Sequence, residues 1–321
     1  MARVTRESPQ ELLARHPQNP LLTRADWPYA ANAVFNAGAT RLASGETLLL
    51  CRVEDRTGLS HLCAARSQDG ISDWTVDPAP TLEADPTHHP EETWGIEDPR
   101  VVWVEELDRY VITFTSYSIA GPGVSLATTK DFVTFERQGV AIPPDNKDAA
   151  VFPERINGRW AMIHRPMPAS AGNRGNIWIS YSPDLKHWGD HKQILAARDG
   201  AWWDAGKIGL SPPPIKTDEG WLLLYHGVRM TPAGCIYRLG AALMDLEHPD
   251  RLIRRGDEWI FGPQEEYERV GDVGDVVFPC GVTVNADTKE LRLYYGAADT
   301  TIALAIANLD EIVGYLLNSG N

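Results

Sequence analysis

One pattern recurs five times along the 321-residue chain and constrains its fold more than any other feature. Each copy reads as an apolar strand, a tight polar turn and a second apolar strand that ends in polar or charged residues. The copies begin at Ala33 (AVFNAGATRLASGETLLLCRVED), Asp98 (DPRVVWVEELDRYVITFTSY), Ala150 (AVFPERINGRWAMIHRP), Ser211 (SPPPIKTDEGWLLLYHGV) and Val276 (VVFPCGVTVNADTKELRLYYGAAD). They match in pattern and not in residue identity. Self-similarity on this scale indicates a repeated structural unit.

The turns inside these copies carry residues that suit hairpins. They are Ser44-Gly45, Leu107-Asp108, Asn157-Gly158, Glu219-Gly220 and Thr288-Lys289, and from each turn to the next the chain advances 63, 50, 62 and 69 residues. This is close to the length of a four-stranded blade with long loops. After each copy a further alternating strand is followed by an Asp-containing turn. The sequence therefore predicts an all-β fold, a five-bladed β-propeller with the active site in the central funnel.

We predict one catalytic domain over residues 1–321, with a short N-terminal extension to about residue 30. Short helices are expected only near Gln10 to Arg15 and at Leu309 to Leu317. A two-sheet sandwich is the alternative fold, since it also has short strands and regular turns. Radial closure is favoured because it removes exposed sheet edges.

The overall charge argues against polyanionic partners. The chain has 30 basic and 44 acidic residues, a net charge of -14, and no basic block, so nucleic acid and anionic membranes are repelled. The four cysteines have no metal-ligand spacing, and neither a signal sequence nor a membrane span is evident. We expect a cytoplasmic protein without a membrane partner, and the sequence leaves a homo-oligomer open.

Polar side chains cluster where the predicted inner strands begin or end, and a propeller would gather them at one face. Asp98, in the stretch GIEDPR, opens the second unit. The other residues of the predicted site are Asn36, Arg52, Asp55, Tyr117, Lys147, Arg165, Lys207, His226, Tyr237 and Asp299. Each alone has an ordinary explanation, such as an Asp-Pro turn at Asp98 or a solvated charge at Lys207. The convergence of all five units indicates a site.

The types of these residues suggest a reaction on a sugar. Inverting hydrolysis needs two carboxyl groups about 6.5 to 9.5 Å apart, and no second catalytic carboxylate can be nominated opposite Asp98. Cations are found instead, at Lys147, Arg165 and Lys207. Such a cluster binds an oxyanion. Phosphate would bring its own nucleophilic oxygen, which favours phosphorolysis over hydrolysis.

The sequence resembles glycoside hydrolase family 130, the β-mannoside phosphorylases and related mannosidases with five-bladed β-propeller folds. The resemblance runs from about Asn32 to the C-terminus. The motifs that carry it are EDPRV, AAVFPERINGRWAMIHRP, GKIGLSPPPI, GWLLLYHGV, YRLGAAL, DVVFPCG and YYGAAD. It implies an inverting reaction of a β-D-mannoside with inorganic phosphate to α-D-mannose 1-phosphate, with phosphate as co-substrate and no metal or other cofactor.

The resemblance also implies roles for individual residues. Asp98 looks like the general acid, whose proton reaches the glycosidic oxygen through the 3-hydroxyl of the bound mannose. Asn36, Arg52 and Asp299 resemble the residues that hold mannose, and Asp55 and Tyr117 are further substrate-binding candidates. The phosphate site would comprise Lys147, Arg165, Lys207, His226 and Tyr237. Lys147 stands where many members have arginine, which removes a bidentate contact.

The glycosidic linkage of the substrate is predicted from weaker features of the sequence. The short N-terminus is more like the β-1,2-mannobiose and β-1,2-oligomannan phosphorylases than the mannosylglucose enzymes, and β-1,4 linkages and hydrolysis stay open. We expect acceptor choice to lie in the loops Asp85 to Thr93 and Pro168 to Arg174. A non-catalytic sugar-binding propeller is the third reading, but it leaves the cationic cluster unexplained.

Overall fold

The computed structural model describes residues 11–167 and 174–318, and nearly all of its regular elements are β-strands. An N-terminal strand, β1, spans Ala14–Arg15. The first sheet contains β2 (Ala33–Arg41), β3 (Thr47–Glu54), β4 (Ser60–Ser67) and β5 (Thr75–Val76). The second contains β6 (Ile96–Val104), β7 (Arg109–Ser118), β8 (Gly121–Thr129) and β9 (Phe135–Ile142). The third contains β10 (Asn146–Val151), β11 (Trp160–Pro166), β12 (Ile177–Ser182) and β13 (Gly189–Leu195).

The remaining elements complete two further sheets. The fourth contains β14 (Lys207–Leu210), β15 (Ile215–Lys216), β16 (Trp221–Thr231), β17 (Gly234–Met244) and β18 (Leu252–Arg255). The fifth contains β19 (Val277–Val284), β20 (Glu290–Ala297), β21 (Thr301–Asn308) and the N-terminal β1. The helices are α1 (Glu266–Arg269), α2 (Leu309–Asn318) and three short 3-10 helices at Arg24–Asp26, Pro90–Glu92 and Glu105–Leu107. Each sheet is antiparallel, and its main strands pair in chain order, as in a propeller blade; β1 is added beside β21, and β14 and β15 both pair with β16.

The five predicted hairpin turns are confirmed. Gly45, Asp108, Gly158, Gly220 and Lys289 all have positive φ, the region that a tight turn between twisted strands requires. At three of the five positions the residue is glycine, which enters this region without a steric penalty. Local turn chemistry therefore fixes the register of the inner hairpin in each sheet.

The sheets close into a ring. Five clusters of buried apolar side chains fill the spaces between neighbouring sheets, and one of them joins the first sheet to the fifth through residues such as Leu49 and Leu304. Closure is reinforced by β1, because Ala14 and Arg15 pair with Ile306 and Ala305 of β21. A sandwich would leave the first and last sheets unpaired, so the five-bladed β-propeller is confirmed. A single domain over the whole chain stays a prediction.

The two helix predictions had different outcomes. The predicted N-terminal helix is wrong for residues 11–15, because this segment pairs with β21 and buries Leu13 against the fourth and fifth sheets. Gln10 lies outside the described residues. The C-terminal helix is confirmed as α2, which buries Leu309, Ile312 and Leu316. No helix in the described ranges is both long and apolar enough to cross a membrane.

Candidate active site

One pocket receives side chains from all five sheets and encloses about 270 Å³. Its polar lining residues are Asn36, Arg52, Asp98, Lys147, Asp148, Arg165, Lys207, Tyr237 and Asp299. Apolar side chains, including Phe278 and Val273, complete the wall. Most of the polar groups come from the first two strands of a sheet, so the ring closure of the fold is what brings them together.

A β-bulge recurs at the start of three inner strands and places a polar residue in the pocket. The pairing register shifts between Phe35 and Gly38 in β2, between Glu97 and Arg100 in β6, and between Lys147 and Ala150 in β10. Within these bulges, Asn36, Asp98 and Asp148 have φ values of 46°, 51° and 54°. Asn and Asp tolerate this left-handed region better than other non-glycine residues. The bulge therefore explains why an Asn or Asp stands at the same point in three blades.

The side of the pocket formed by the first two sheets and the start of β10, here called the Asp98 wall, comprises Asn36, Arg52, Glu97, Asp98 and Lys147, with Asp299 next to it. Asn36 Nδ2 donates to Asp98 Oδ1 at 2.8 Å, and Arg52 Nη1 donates to the same oxygen at 3.1 Å. Arg52 Nη2 also contacts Glu97 Oε1 at 3.2 Å, and Lys147 Nζ contacts Glu97 Oε2 at 3.2 Å. Both carboxylates on this wall thus have cationic partners.

Asp98 and Asp299 lie in the same pocket but in different electrostatic environments. Burial opposes ionisation of Asp98, but Arg52, Lys147 and Arg100, with the hydrogen bond from Asn36, outweigh it and lower its pKa. The cations Arg52 and Lys147 stabilise the ionised form of Asp299 less. Burial and the nearby Asp98 charge raise the pKa of Asp299 to about 7. These surroundings hold Asp98 ionised and Asp299 largely protonated below neutral pH.

The other side, here called the Arg165 wall, comprises Asp148, Arg165 and Lys207, and His226 lies buried behind Asp148. Arg165 Nε donates to Asp148 Oδ2 at 2.7 Å, and His226 Nε2 lies 3.3 Å from the same oxygen. Arg165 is 3% exposed, and its Nη1 has no hydrogen-bond partner among the described residues. Burial, followed by the neighbouring Arg165 charge, lowers the pKa of Lys207. Among the described residues, this wall therefore has a buried donor that no acceptor satisfies.

Two supporting residues fix the geometry of this wall. A Cβ at Gly209 would lie 2.3 Å from Asp148 Oδ2 and 2.6 Å from His226 Cε1, so only glycine allows these side chains to approach. Arg100 is 1% exposed and joins the second sheet to the fourth. Its Nε donates to Ser211 O at 3.0 Å and its Nη1 to Asp98 O at 2.9 Å.

Three of the sequence-predicted residues do not line the pocket. Asp55 is used by its own turn, where its Oδ1 accepts hydrogen bonds from the backbone amides of Thr57 and Leu59. His226 is completely buried behind the wall, and burial lowers its pKa, so it supports Asp148 as a neutral imidazole. Tyr117 lies beyond Lys147, whose Nζ is 5.7 Å from the centroid of the tyrosine ring.

Sequence reasoning brought the other eight residues to the pocket but missed three that shape it: Glu97, Arg100 and Asp148. Glu97 and Arg100 flank Asp98 in the stretch that first drew attention to it. Asp148 follows Lys147 just before an apolar run, as Asp98 follows Glu97. Comparing the blades position by position would have found Asp148. The predicted acceptor loop at residues 168–173 lies outside the described residues.

Comparisons with known proteins agree on one family. The family model Glyco_hydro_130, described as beta-1,4-mannooligosaccharide phosphorylase, matches residues 13–318. The chain is 35% identical over 312 residues to a beta-1,4-mannooligosaccharide phosphorylase of Ruminococcus albus, covering 96% of this chain and 91% of the relative. It is 43% identical over 260 residues to a beta-1,2-mannobiose phosphorylase of Listeria innocua, covering 81% of this chain and 70% of the relative.

A solved structure is similar over nearly the whole fold. The complex of beta-1,2-mannobiose phosphorylase from Listeria innocua with beta-1,2-mannobiose superposes with a TM-score of 0.86 at 34% identity. The match covers 95% of this chain and 99% of that one.

Proposed function

The chain belongs to glycoside hydrolase family 130, and from that premise we propose that it is an inverting β-mannoside phosphorylase whose active site is the pocket between the Asp98 and Arg165 walls, in the central funnel. The observation that carries the proposal is Arg165 Nη1, which is buried in the pocket that also contains Lys207 and Asp98 and has no hydrogen-bond partner among the described residues. A hydrolase needs a water-activating base at this position. A guanidinium that keeps one free N–H group beside its ion pair with Asp148 suits an oxyanion instead.

In this mechanism phosphate binds to Arg165 and Lys207, and Asn36, Arg52 and Asp299 hold the mannose. A phosphate oxygen attacks the anomeric carbon from the face opposite the leaving group. The bond from that carbon to the glycosidic oxygen breaks, and the β-mannoside becomes α-D-mannose 1-phosphate. Tyr237 covers the site from the fourth sheet, where Lys207 Nζ lies 5.6 Å from its ring centroid. No metal or organic cofactor is needed.

The leaving oxygen takes a proton from Asp98 through the 3-hydroxyl of the mannose. The neighbouring cations hold Asp98 ionised, so the carboxyl must first gain this proton. Bound phosphate adds negative charge opposite Asp98, which raises the pKa of the carboxyl and favours protonation. Hydrogen phosphate carries a proton that the sugar phosphate dianion no longer holds, so the proton given to the leaving hydroxyl is balanced.

The substrate that we propose is β-1,2-mannobiose or a longer β-1,2-mannooligosaccharide. Support comes from the 43% identity to a beta-1,2-mannobiose phosphorylase and from the TM-score of 0.86 to the structure of such an enzyme. The β-1,4 linkage is the second candidate, because the relative matched over the larger share of the chain has that name. We also propose a cytoplasmic location, which suits the four free cysteines.

The test is incubation with β-1,2- and β-1,4-mannobiose, each with and without inorganic phosphate, with products identified by anomer-resolved NMR. We expect α-mannose 1-phosphate from the β-1,2 substrate, formed only when phosphate is present. Release of free mannose at the same rate in phosphate-free buffer would instead establish a hydrolase.

A further inference from the structure

A second cavity, of about 630 Å³, lies on the second sheet and is not part of the pocket. We define the blade-two groove by its apolar walls, Trp94, Ile119, Val140 and Pro144. Trp94 is 44% exposed, Ile119 90% and Val140 40%. Single exposed apolar residues are ordinary, but a contiguous group rimmed by polar atoms marks a binding surface. Thr93 and Ser118 supply hydroxyl groups at its rim.

Tyr117 connects the groove to the active-site pocket through two side-chain contacts. Lys147 lines the pocket and its Nζ lies 5.7 Å from the centroid of the Tyr117 ring. The Tyr117 ring in turn packs edge-on against Trp94, with centroids 5.5 Å apart. The backbone fixes this contact, because Trp94 N donates to Tyr117 O at 2.7 Å. The Tyr117 ring therefore lies close to both the ammonium group of Lys147 and the indole of Trp94.

The segment that presents Trp94 is anchored from below. Glu92, two residues earlier, is 1% exposed and accepts from Arg137 Nε at 3.2 Å. Its other oxygen accepts from Asp85 N at 2.9 Å. This buried ion pair holds the segment with the exposed Trp94 indole in place before a ligand binds, which lowers the entropy cost of binding.

We propose that the blade-two groove binds the acceptor end of an oligosaccharide substrate, beyond the sugars held in the pocket, with Trp94 as the stacking platform. This inference rests on the proposed function and gives it a chain-length preference. The pocket, at about 270 Å³, is smaller than the roughly 300 to 1,000 Å³ of sites that enclose a drug-sized ligand. Further sugar units must therefore lie outside it.

The chemistry of the groove suits a pyranose. One face of the ring carries mainly C–H groups and packs on an indole, while the hydroxyl groups around its edge need donors and acceptors. The groove offers this combination in Trp94 with the hydroxyls of Thr93 and Ser118. A purely apolar ligand would leave these hydroxyls unused.

The experiment compares phosphorolysis of the mannobiose and the mannotetraose of the linkage that the protein uses. Trp94→Ala should lower the ratio of kcat/KM for tetraose over kcat/KM for biose about tenfold, mainly through KM for the tetraose. Trp94→Phe, which keeps an aromatic face, should restore part of the ratio. The matched control is Trp103→Ala, an indole 38% exposed at the other end of β6, which should leave the ratio unchanged.

An unchanged ratio in Trp94→Ala, or an equal loss with both substrates, would overturn the proposal. So would a Trp94-dependent gain for a mannoside with an aryl aglycone but none for the tetraose. Calorimetric binding of β-1,2- and β-1,4-mannotetraose to the unsubstituted protein and to Trp94→Ala separates this inference from the proposed function. If no mannoside is phosphorolysed, the proposed function fails. Weaker tetraose binding by the variant would still support the groove, and equal binding would refute it.

Discussion

The Asp98 wall and the Arg165 wall of the pocket contain the same kinds of residues, but their charges balance differently. On the Asp98 wall, the two carboxylates of Glu97 and Asp98 face the two cations of Arg52 and Lys147. On the Arg165 wall, the carboxylate of Asp148 faces Arg165 and Lys207, with Arg100 also 3.6 Å from it. One wall is close to neutral and the other is positive.

This difference shows which ligand each wall can accept. A neutral sugar brings hydroxyl groups and no charge, so it suits a wall whose charges already cancel. An anion suits the wall that has excess positive charge and a buried donor with no partner in the described part of the chain. The chain as a whole carries -14, so the attraction for phosphate is local to this wall. A substitution on the Asp98 wall should therefore mainly affect the reaction of the mannoside, and a substitution on the Arg165 wall should mainly affect the use of phosphate.

The largest effect is expected from Asp98→Asn. The amide keeps the shape of the side chain but has no proton to give, so kcat should fall about 100- to 10,000-fold, the range for loss of a general acid. Phosphate binding should survive, because the Arg165 wall is untouched. Steady-state kinetics and calorimetric phosphate binding check both parts.

Two results would break the assignment of Asp98. Turnover within tenfold of the unsubstituted protein would show that it is not the acid. Loss of phosphate binding together with kcat would show that the two walls do not act separately. Glu105→Gln, at an exposed carboxylate in the 3-10 helix that follows β6, is the control and should leave both quantities unchanged.

A smaller effect is expected from Lys207→Ala. Removing a charged partner of a bound anion costs about 2 kcal/mol or more, so KM for phosphate should rise about 30-fold, with a smaller change in KM for the mannoside. Initial rates at varied phosphate test this. Lys216→Ala removes a half-exposed lysine that pairs with Glu154 and should change neither constant. A KM for phosphate that stays the same in Lys207→Ala would contradict the role of the Arg165 wall.

Most of this arrangement could be predicted from the sequence, because it depends on hairpin turns that a few neighbouring residues determine. Hairpin turns are set by residues such as Asn157-Gly158, and the repeat of these turns gave the number of blades. Once the blades are aligned around an axis, polar residues at the ends of inner strands must converge. Eight of the eleven predicted site residues line the pocket for this reason.

The rest depends on tertiary structure. Asp148 enters the pocket because a bulge reverses its direction, and simple alternation along β10 does not show this. Asp55 was predicted to bind substrate because the two backbone amides of its own turn that donate to its carboxylate cannot be identified until the turn is folded. The segment around Ala14 has the sequence pattern of a helix. It forms a strand instead, because ring closure pairs it with β21, almost 300 residues away along the chain.

The smallest effect is expected from Asp299→Asn, which tests whether the Asp98 wall tolerates a third carboxylate. Burial and the Asp98 charge raise the pKa of Asp299 to about 7, far above the value of about 3.9 in an unfolded chain. The folded state therefore binds the proton more tightly. Its contribution to stability is fully present below about pH 4 and is lost as pH rises through 7.

Asparagine resembles the protonated acid and does not titrate, so Asp299→Asn should avoid this loss. At pH 8 the variant should melt about 2 to 4 °C above the unsubstituted protein, as about 1 kcal/mol does for a chain of this class, and the gap should narrow at pH 5. Differential scanning calorimetry at the two pH values measures it, with Asp287→Asn in the exposed β19–β20 turn as control. A gap that is constant with pH would mean that Asp299 is already ionised at pH 5. The Asp98 wall would then be negative, and the contrast between the walls would be larger than the structure indicates.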